Sequence, residues 1–123
     1  MSSPSSIASG IYLDTSLALS QIGDTEAMNG MLVMLQDTLS HDLPLIEAYL
    51  LSGDMANANR LLHALKGFIP VFCQPELCAR VARVEALSKD SQSTSAAPAY
   101  ALVKPQLDQL LAEVAAYLQA PGS

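Results

Sequence analysis

The chain has 123 residues, of which 50% are hydrophobic and 15% charged, and its formal net charge is −6. This length allows one domain with a real core but leaves no room for a catalytic domain with a nucleotide site, which excludes an autonomous kinase. The acidic balance argues against nucleic-acid binding, which needs several basic side chains together.

Residues 1–10 are rich in serine and contain Pro4 and Gly10, a composition typical of a flexible leader or linker. The MSSPSS start lacks the basic and apolar regions of a signal peptide. Polar residues interrupt every apolar run before the roughly 20 residues that a membrane span needs. We therefore expect a cytoplasmic helical domain over residues 11–120.

Capping and turn residues divide that domain into five predicted helices. Aspartate is a favoured N-cap because its carboxylate accepts free backbone N–H groups, and glycine ends helices because it tolerates the left-handed conformation. These signals are Asp14, Gly23, Asp24 or Thr25, Gly53 and Asp54, with Pro75 suited to the first position of the fourth helix. The helices are predicted over residues 15–21, 25–51, 55–71, 75–88 and 99–119.

Three prolines are expected to disturb these helices. Pro44 should kink or break the second helix near residues 41–43, because proline lacks the N–H and clashes with the preceding turn. Pro70 should bend or loosen the end of the third helix, and Pro105 should kink the first turns of the last helix or reset its start. The polar, low-complexity residues 89–97 predict a connecting loop.

Each long predicted helix carries one apolar stripe at spacings of three and four residues. There is no strand pattern and no internal repeat. The predicted fold class is all-α, an antiparallel four-helix bundle with an additional short N-terminal helix. The stripes comprise Met28, Met31, Leu32, Leu35, Leu39, Leu43, Ile46 and Leu50; Leu77, Val81, Val84 and Leu87; and Val103, Leu107, Leu110, Leu111, Val114 and Leu118.

The third predicted helix places His63 at the centre of a polar stripe. At about 100° per residue, the positions within roughly 60° of it are Ala56, Asn59, Arg60, Lys66, Gly67 and Pro70. A glycine inside a helix costs about 1 kcal/mol relative to alanine, so close approach of another molecule is the natural reason for Gly67. An exposed imidazole beside a lysine and a gap is suited to meet an anion.

Other interpretations of these residues carry no chemistry. A lone histidine in a helix is more often a surface or capping residue, and we expect a structural or solvent role for His41. Cys73 and Cys78 would lie about 140° apart on one helix and are expected to be small buried hydrophobic residues. A metal site built from both histidines and both cysteines is disfavoured because their spacings match no usual zinc pattern.

The segment His63-Ala64-Leu65-Lys66-Gly67 resembles the H-x-x-K-G motif of the histidine-containing phosphotransfer (HPt) domain of multistep phosphorelays. The resemblance extends over roughly residues 11–119. Its further landmarks are Leu13-Asp14, Asp42-Leu43-Pro44, Gly53-Asp54, Leu77 and Val84-Glu85.

The resemblance implies that His63 accepts a phosphoryl group from an aspartyl phosphate on one receiver domain and relays it to an aspartate on another. Lys66 would offset the phosphoryl charge, and Gly67 would leave the approach open. Asn59 and Arg60 could position the imidazole or the phosphate. Ala56, Ala64 and Pro70 could form a docking surface, or could simply be neutral helix surface.

The resemblance also implies what the chain needs from its partners. The chain has no glycine-rich phosphate loop and no carboxylate cluster for a metal, so it should hold no cofactor of its own, and Mg²⁺ would come from the receiver. The partners would be receiver domains of a hybrid sensor histidine kinase, of a response regulator, or of both. We expect a monomer without membrane or nucleic-acid contacts, either a free carrier or the cytoplasmic C-terminal part of a membrane-bound hybrid kinase.

Several residues depart from the family pattern: Phe68, Ile69, Pro70, Val71 and Cys73. In the family, small residues usually follow the motif glycine, and a glycine is common where Cys73 stands. Phe68 should alter packing rather than block His63, whereas Pro70 and Val71 change the helix just beyond His63 and could reshape partner choice or slow transfer. The alternative function is therefore a degenerate bundle that docks receiver domains or other proteins without carrying phosphate.

Overall fold

A computed structural model describes residues 11–119 of the chain, so the predicted leader at residues 1–10 lies outside the described residues. Within this range the structure contains α-helices, one short 3-10 helix and a single isolated β-bridge between Leu13 and Cys73. The helices are α1 (Thr15–Ile22), α2 (Thr25–Ser52), α3 (Met55–Phe68), α4 (Pro75–Leu87) and α5 (Ala96–Gln119).

Aspartate and glycine set the ends of the first helices, as the sequence predicts. The carboxylates of Asp14, Asp24 and Asp54 each accept the backbone N–H three residues later, at distances of 2.7–3.2 Å. Gly23 and Gly53 adopt φ values of 87° and 83°, a left-handed conformation that glycine reaches without steric cost. Local chemistry therefore defines the turns that lead into α2 and α3.

The four long helices pack in a ring, α2 against α3, α3 against α4, α4 against α5, and α5 against α2, while α1 packs on α2. This arrangement confirms the predicted all-α bundle with a short N-terminal helix. The predicted stripes are buried except for a few residues that pack half-buried at the edge of the core: Met31, Leu87, Leu111 and Leu118. None of the helices in residues 11–119 has both the length and the apolar character that a membrane-crossing segment requires.

α2 continues through Pro44, so the break expected near residues 41–43 does not occur. Pro44 lies on the exposed side of the helix, and so does Ser40, whose carbonyl loses its usual helical donor and can be hydrated. Buried leucines on either side of the proline keep α2 packed on the core. Tyr100 of α5 also donates its hydroxyl to the Leu43 carbonyl at 2.9 Å, which ties this turn to the neighbouring helix.

α3 ends at Phe68 rather than near residue 71, and the chain continues as a 3-10 turn, Ile69–Val71. The loosening predicted for Pro70 is confirmed by this change of helix type. The backbone N–H groups of Phe72 and Cys73 both donate to the Ile69 carbonyl, at 2.9 and 3.0 Å. The H-x-x-K-G segment at residues 63–67 therefore lies in the last turns of a regular α-helix.

α5 begins at Ala96, before the predicted start at residue 99, and the preceding loop is correspondingly shorter. The Ser93 hydroxyl accepts the Ala96 N–H at 3.2 Å, and Pro98 lies in the first turn, where no N–H is required. Pro105 lies inside α5 at an exposed position and does not reset its start. The alternative in which Pro105 resets the helix start was therefore wrong, because hydroxyl capping upstream already begins the helix.

Residues 11–14, which precede α1, are hydrogen-bonded to α5 and to the turn that follows α3. The Glu113 carboxylate of α5 accepts three consecutive backbone N–H groups from residues 11–13, at 2.9–3.0 Å. The Asp14 N–H donates to the Phe72 carbonyl at 2.8 Å. A single carboxylate thus holds the segment that precedes α1 against the last helix.

Candidate functional site

His63 lies on the exposed face of α3, with 69% of its side chain accessible. Asp54 caps the helix, and the opposite face carries the buried residues that hold α3 on the bundle: Met55, Ala58, Leu61, Leu62 and Leu65. The exposure predicted from the helical periodicity is therefore confirmed. The imidazole can be reached by another molecule without any rearrangement of the core.

A carboxylate from the next helix meets the imidazole. The side chain of Glu85 in α4 is only 2% exposed, and its Oε2 lies 3.4 Å from His63 Nδ1. Lys66 donates to the other oxygen, Oε1, at 3.2 Å. Lys89, in the turn that follows α4, brings its ammonium to 3.9 Å from Oε2. Glu85 is thus the shared partner of three groups that carry or can accept positive charge.

Asn59 and Ser88 fix the position of Glu85. The Asn59 side-chain amide donates toward the Glu85 carbonyl at 3.0 Å, Glu85 Oε2 at 3.2 Å and Ser88 Oγ at 3.0 Å. Ser88 Oγ in turn donates to the Glu85 carbonyl at 2.8 Å. The predicted site residue Asn59 therefore acts on Glu85, and through it on the imidazole, rather than on the imidazole directly.

The electrostatic environment keeps Glu85 ionised. Burial raises the pKa of its carboxyl, but hydrogen bonds from Lys66 and Asn59 and the charges of Lys66 and Lys89 lower it further, so the pKa lies below its ordinary value. An ionised carboxylate only accepts hydrogen bonds, so in the neutral imidazole it favours the tautomer with the proton on Nδ1. The Nε2 lone pair is then free, and within residues 11–119 the structure places no hydrogen-bond partner on it.

The exposed face around His63 is open. A Cβ atom added at Gly67 would meet no atom of the described chain within 4 Å, so packing within this bundle does not require a glycine there. The predicted docking residues Ala56, Ala64 and Pro70 are all exposed on the same helix or the turn after it. Arg60 is also exposed and donates to Asn57 Oδ1 at 3.4 Å, so its predicted contact with phosphate stays a prediction.

Two of the residues that depart from the family pattern, Phe68 and Cys73, pack against the core rather than over the imidazole. Phe68 is half-buried against the core and meets Phe72 edge to face, with ring centroids 5.4 Å apart. Cys73 is buried, and burial raises the pKa of its thiol to about 12, whereas Cys78 is only half-buried, contrary to expectation. The prediction that Phe68 alters packing without covering His63 agrees with this arrangement.

No second chemical centre competes with this site in the described part of the chain. His41 is 75% exposed and pairs with the neighbouring Asp42 at 2.8 Å, which agrees with its expected solvent role. Residues 11–119 contain no group of three or more His, Cys, Asp or Glu side chains that could hold a metal ion. The proposal of a metal site from both histidines and both cysteines therefore gains no support.

Sequence reasoning assigned no chemical role to Glu85 or Lys89. Glu85 occupies a buried position of the α4 stripe, next to Val84 and one turn after Val81. A charged residue at such a position needs a buried partner, which was the available signal. The identity of that partner depends on how α3 packs on α4, which the sequence pattern does not specify.

Comparison with known proteins supports a family assignment. A model of the family described as Hpt domain matches residues 30–117, which is more than half of the chain. The matched range contains α3 and α4 and therefore all of the residues around His63. The comparisons with curated proteins and with solved structures returned no match.

Proposed function

The chain belongs to the Hpt domain family, whose members take part in histidine phosphotransfer in phosphorelays and interact with receiver domains, and we propose that His63 carries the phosphoryl group in this member. The observation that carries the proposal is the exposed imidazole whose Nδ1 faces the buried Glu85 carboxylate. Lys66 lies beside it on the same carboxylate, and the surface at Gly67 is open.

The chemistry follows from the tautomer that Glu85 favours. The Nε2 lone pair of neutral His63 attacks the phosphorus of a receiver aspartyl phosphate in line, and the bond from phosphorus to the aspartyl oxygen breaks. The receiver recovers its carboxylate, and the ring, which keeps its Nδ1 proton, becomes a phosphorylated imidazolium. Glu85 stabilises the positive charge that develops on the ring, and Lys66 offsets the negative charge of the phosphoryl oxygens.

The reverse reaction delivers the phosphoryl group onward. An aspartate of a second receiver attacks the phosphorus, the bond to Nε2 breaks, and neutral His63 is regenerated. We expect Mg²⁺ to be held by the receiver, which would supply charge neutralisation at its own aspartate. This chain contributes the nucleophile, its orientation and the docking surface at Ala56, Ala64 and Pro70.

The chain offers a matched control because it has two histidines. The parent chain, His63→Gln and His41→Gln are incubated with a panel of phosphorylated receiver domains, and acid-labile, base-stable label is scored. We expect label on the parent chain and on His41→Gln, and none on His63→Gln. Label that persists on His63→Gln would refute the assignment of the phosphorylated residue.

The docking-only alternative predicts a different result in the same experiment. If a receiver binds the parent chain but transfers no label to it, the chain docks receivers without carrying phosphate. Binding is therefore measured in parallel for the parent chain and both variants. The open face around His63 predicts that His63→Gln retains receiver binding, because glutamine preserves the surface while removing the nucleophile.

A further inference from the structure

The second lysine at Glu85 has no task in the transfer chemistry described above. Lys89 is 63% exposed, and its ammonium lies 3.9 Å from Glu85 Oε2, which is too long for a hydrogen bond. Lys66 is 34% exposed and already makes a hydrogen bond to Oε1 at 3.2 Å. The two lysines thus approach different oxygens of one carboxylate, one in contact and the other close to contact.

The charge balance of the site changes on phosphorylation. In the nucleophilic form of His63 the imidazole is uncharged, so two ammonium groups face one carboxylate before phosphorylation. Afterwards the ring carries one positive charge and the phosphoryl group about two negative charges. Two ammonium groups and the imidazolium then match the carboxylate and the phosphoryl group. The two lysines and Glu85 therefore carry a net charge of one positive unit before His63 is phosphorylated, and the whole site is balanced afterwards.

Lys66 is the cation on the same helix as His63, one turn away, and it is the group suited to reach the phosphoryl oxygens. Its departure from Oε1 would leave Glu85 buried with only the imidazolium and Asn59 as partners. An incompletely compensated buried charge is strongly unfavourable. Lys89 is the one remaining cation within 4 Å of the carboxylate in the described residues, and 63% of its side chain is exposed to solvent.

We propose that Lys89 is a reserve cation for Glu85: when His63 is phosphorylated, the Lys89 ammonium closes on Glu85 Oε2 and lets Lys66 turn from Oε1 to the phosphoryl oxygens. This inference rests on the proposed function of His63. Lys89 is a positioning residue in this scheme, because it acts on the phosphoryl group only through Glu85 and Lys66.

The test uses phosphoramidate, a small-molecule phosphoryl donor, so no receiver has to be identified. Attack by His63 Nε2 forms the new P–N bond while the P–N bond to the leaving ammonia breaks. The ³¹P signal of the phosphorylated chain is then titrated in the parent, Lys89→Gln, Lys66→Gln and the double variant. Lys104→Gln is the matched control, because Lys104 pairs with Asp108 one turn away on α5, outside the site. Arg60, which lies on the same helix face as His63, is not substituted in any of these variants.

We expect Lys89→Gln to lower the acid dissociation constant of the phosphoryl group about two- to fivefold, the range for loss of a partly exposed ion pair. The effect should largely disappear in the Lys66→Gln background, because Lys89 acts through Lys66. Lys104→Gln should behave as the parent. Circular dichroism of all variants before labelling confirms the fold.

Two results would overturn the inference. Lys89→Gln could titrate as Lys104→Gln does, which would make Lys89 an ordinary surface lysine. Equal effects of Lys89→Gln with and without Lys66 would mean that Lys89 contacts the phosphoryl group directly. If phosphoramidate labels the parent chain and His63→Gln equally, the label is not on His63 and the proposed function itself fails, a result distinct from both of these.

Discussion

Replacing Glu85 by glutamine tests the central contact of the site. Glutamine has nearly the same shape as glutamate, so the substitution removes the charge while leaving the space between α3 and α4 filled. The carboxylate that accepts from His63 Nδ1 at 3.4 Å and from Lys66 at 3.2 Å becomes a neutral amide. The bias toward the Nδ1-protonated tautomer, and the stabilisation of the developing imidazolium, are then weakened together.

The size of the effect follows from the geometry. A hydrogen bond to a charged group contributes about 1.5–3 kcal/mol. The 3.4 Å separation and the 69% exposure of the imidazole place this contact at or below the weak end of that range, at about 1–1.5 kcal/mol. Such a loss in the transition state slows transfer roughly tenfold. Release of Lys66 from the carboxylate would offset a small part of this loss.

The assay is single-turnover transfer from a phosphorylated receiver domain, with excess acceptor chain, for the parent and Glu85→Gln. Asp108→Asn is the control, because it also removes a carboxylate from a lysine contact but on α5. Urea denaturation of each variant separates loss of transfer from loss of fold. A Glu85→Gln chain that is folded and transfers at the parent rate would refute the role of this carboxylate in orienting His63.

Three further results are expected. Gly67→Ala should raise the free energy of unfolding in urea by about 0.5–1 kcal/mol, because alanine favours the helix and its Cβ meets no neighbour. If the open space at Gly67 serves the approach of the receiver, the same variant should transfer more slowly. Unchanged transfer would refute that use of the open space. Glu113→Gln should lower the free energy of unfolding by about 1–2 kcal/mol, because three backbone N–H groups lose a charged acceptor, while the folded fraction transfers normally; unaltered urea midpoints would contradict this. The pKa of Glu85 is lowered in the folded chain, so its contribution to stability is present above the ordinary carboxyl pKa of about 4.5. This contribution is lost as the pH falls through the lower folded value. Urea midpoints between pH 6 and pH 3 should therefore fall less steeply for Glu85→Gln than for the parent.

Local rules identified most of the fold in advance. The Asp54 cap and the glycine at residue 53 lie next to the helix ends that they determine, so their effect does not depend on distant residues. The same holds for the exposure of His63, because the 3.6-residue period places it opposite the buried leucines of its own helix. The positions of Lys66 and Gly67 beside His63 follow from the same periodicity.

The prolines show where local rules were insufficient. Pro44 and Pro105 both lie inside helices, on their exposed sides, where a carbonyl without its helical donor can be hydrated. Whether a proline interrupts a helix depends on the packing of the residues around it. The buried residues that flank both prolines hold their helices against neighbouring helices, and the pattern of one segment does not contain that information.

The sequence by itself determined that this chain is an all-α bundle with an exposed histidine next to a lysine and a glycine, because each of these features depends on residues within a few positions of one another. Only the tertiary structure decided which charged group faces that histidine. Glu85 lies on a different helix from His63 and Lys66, and the distance between them is set by the packing of α3 on α4 and by the Asn59 and Ser88 hydrogen bonds across that interface. The nucleophile is thus specified by helical periodicity, and its electrostatic partner by contacts between helices.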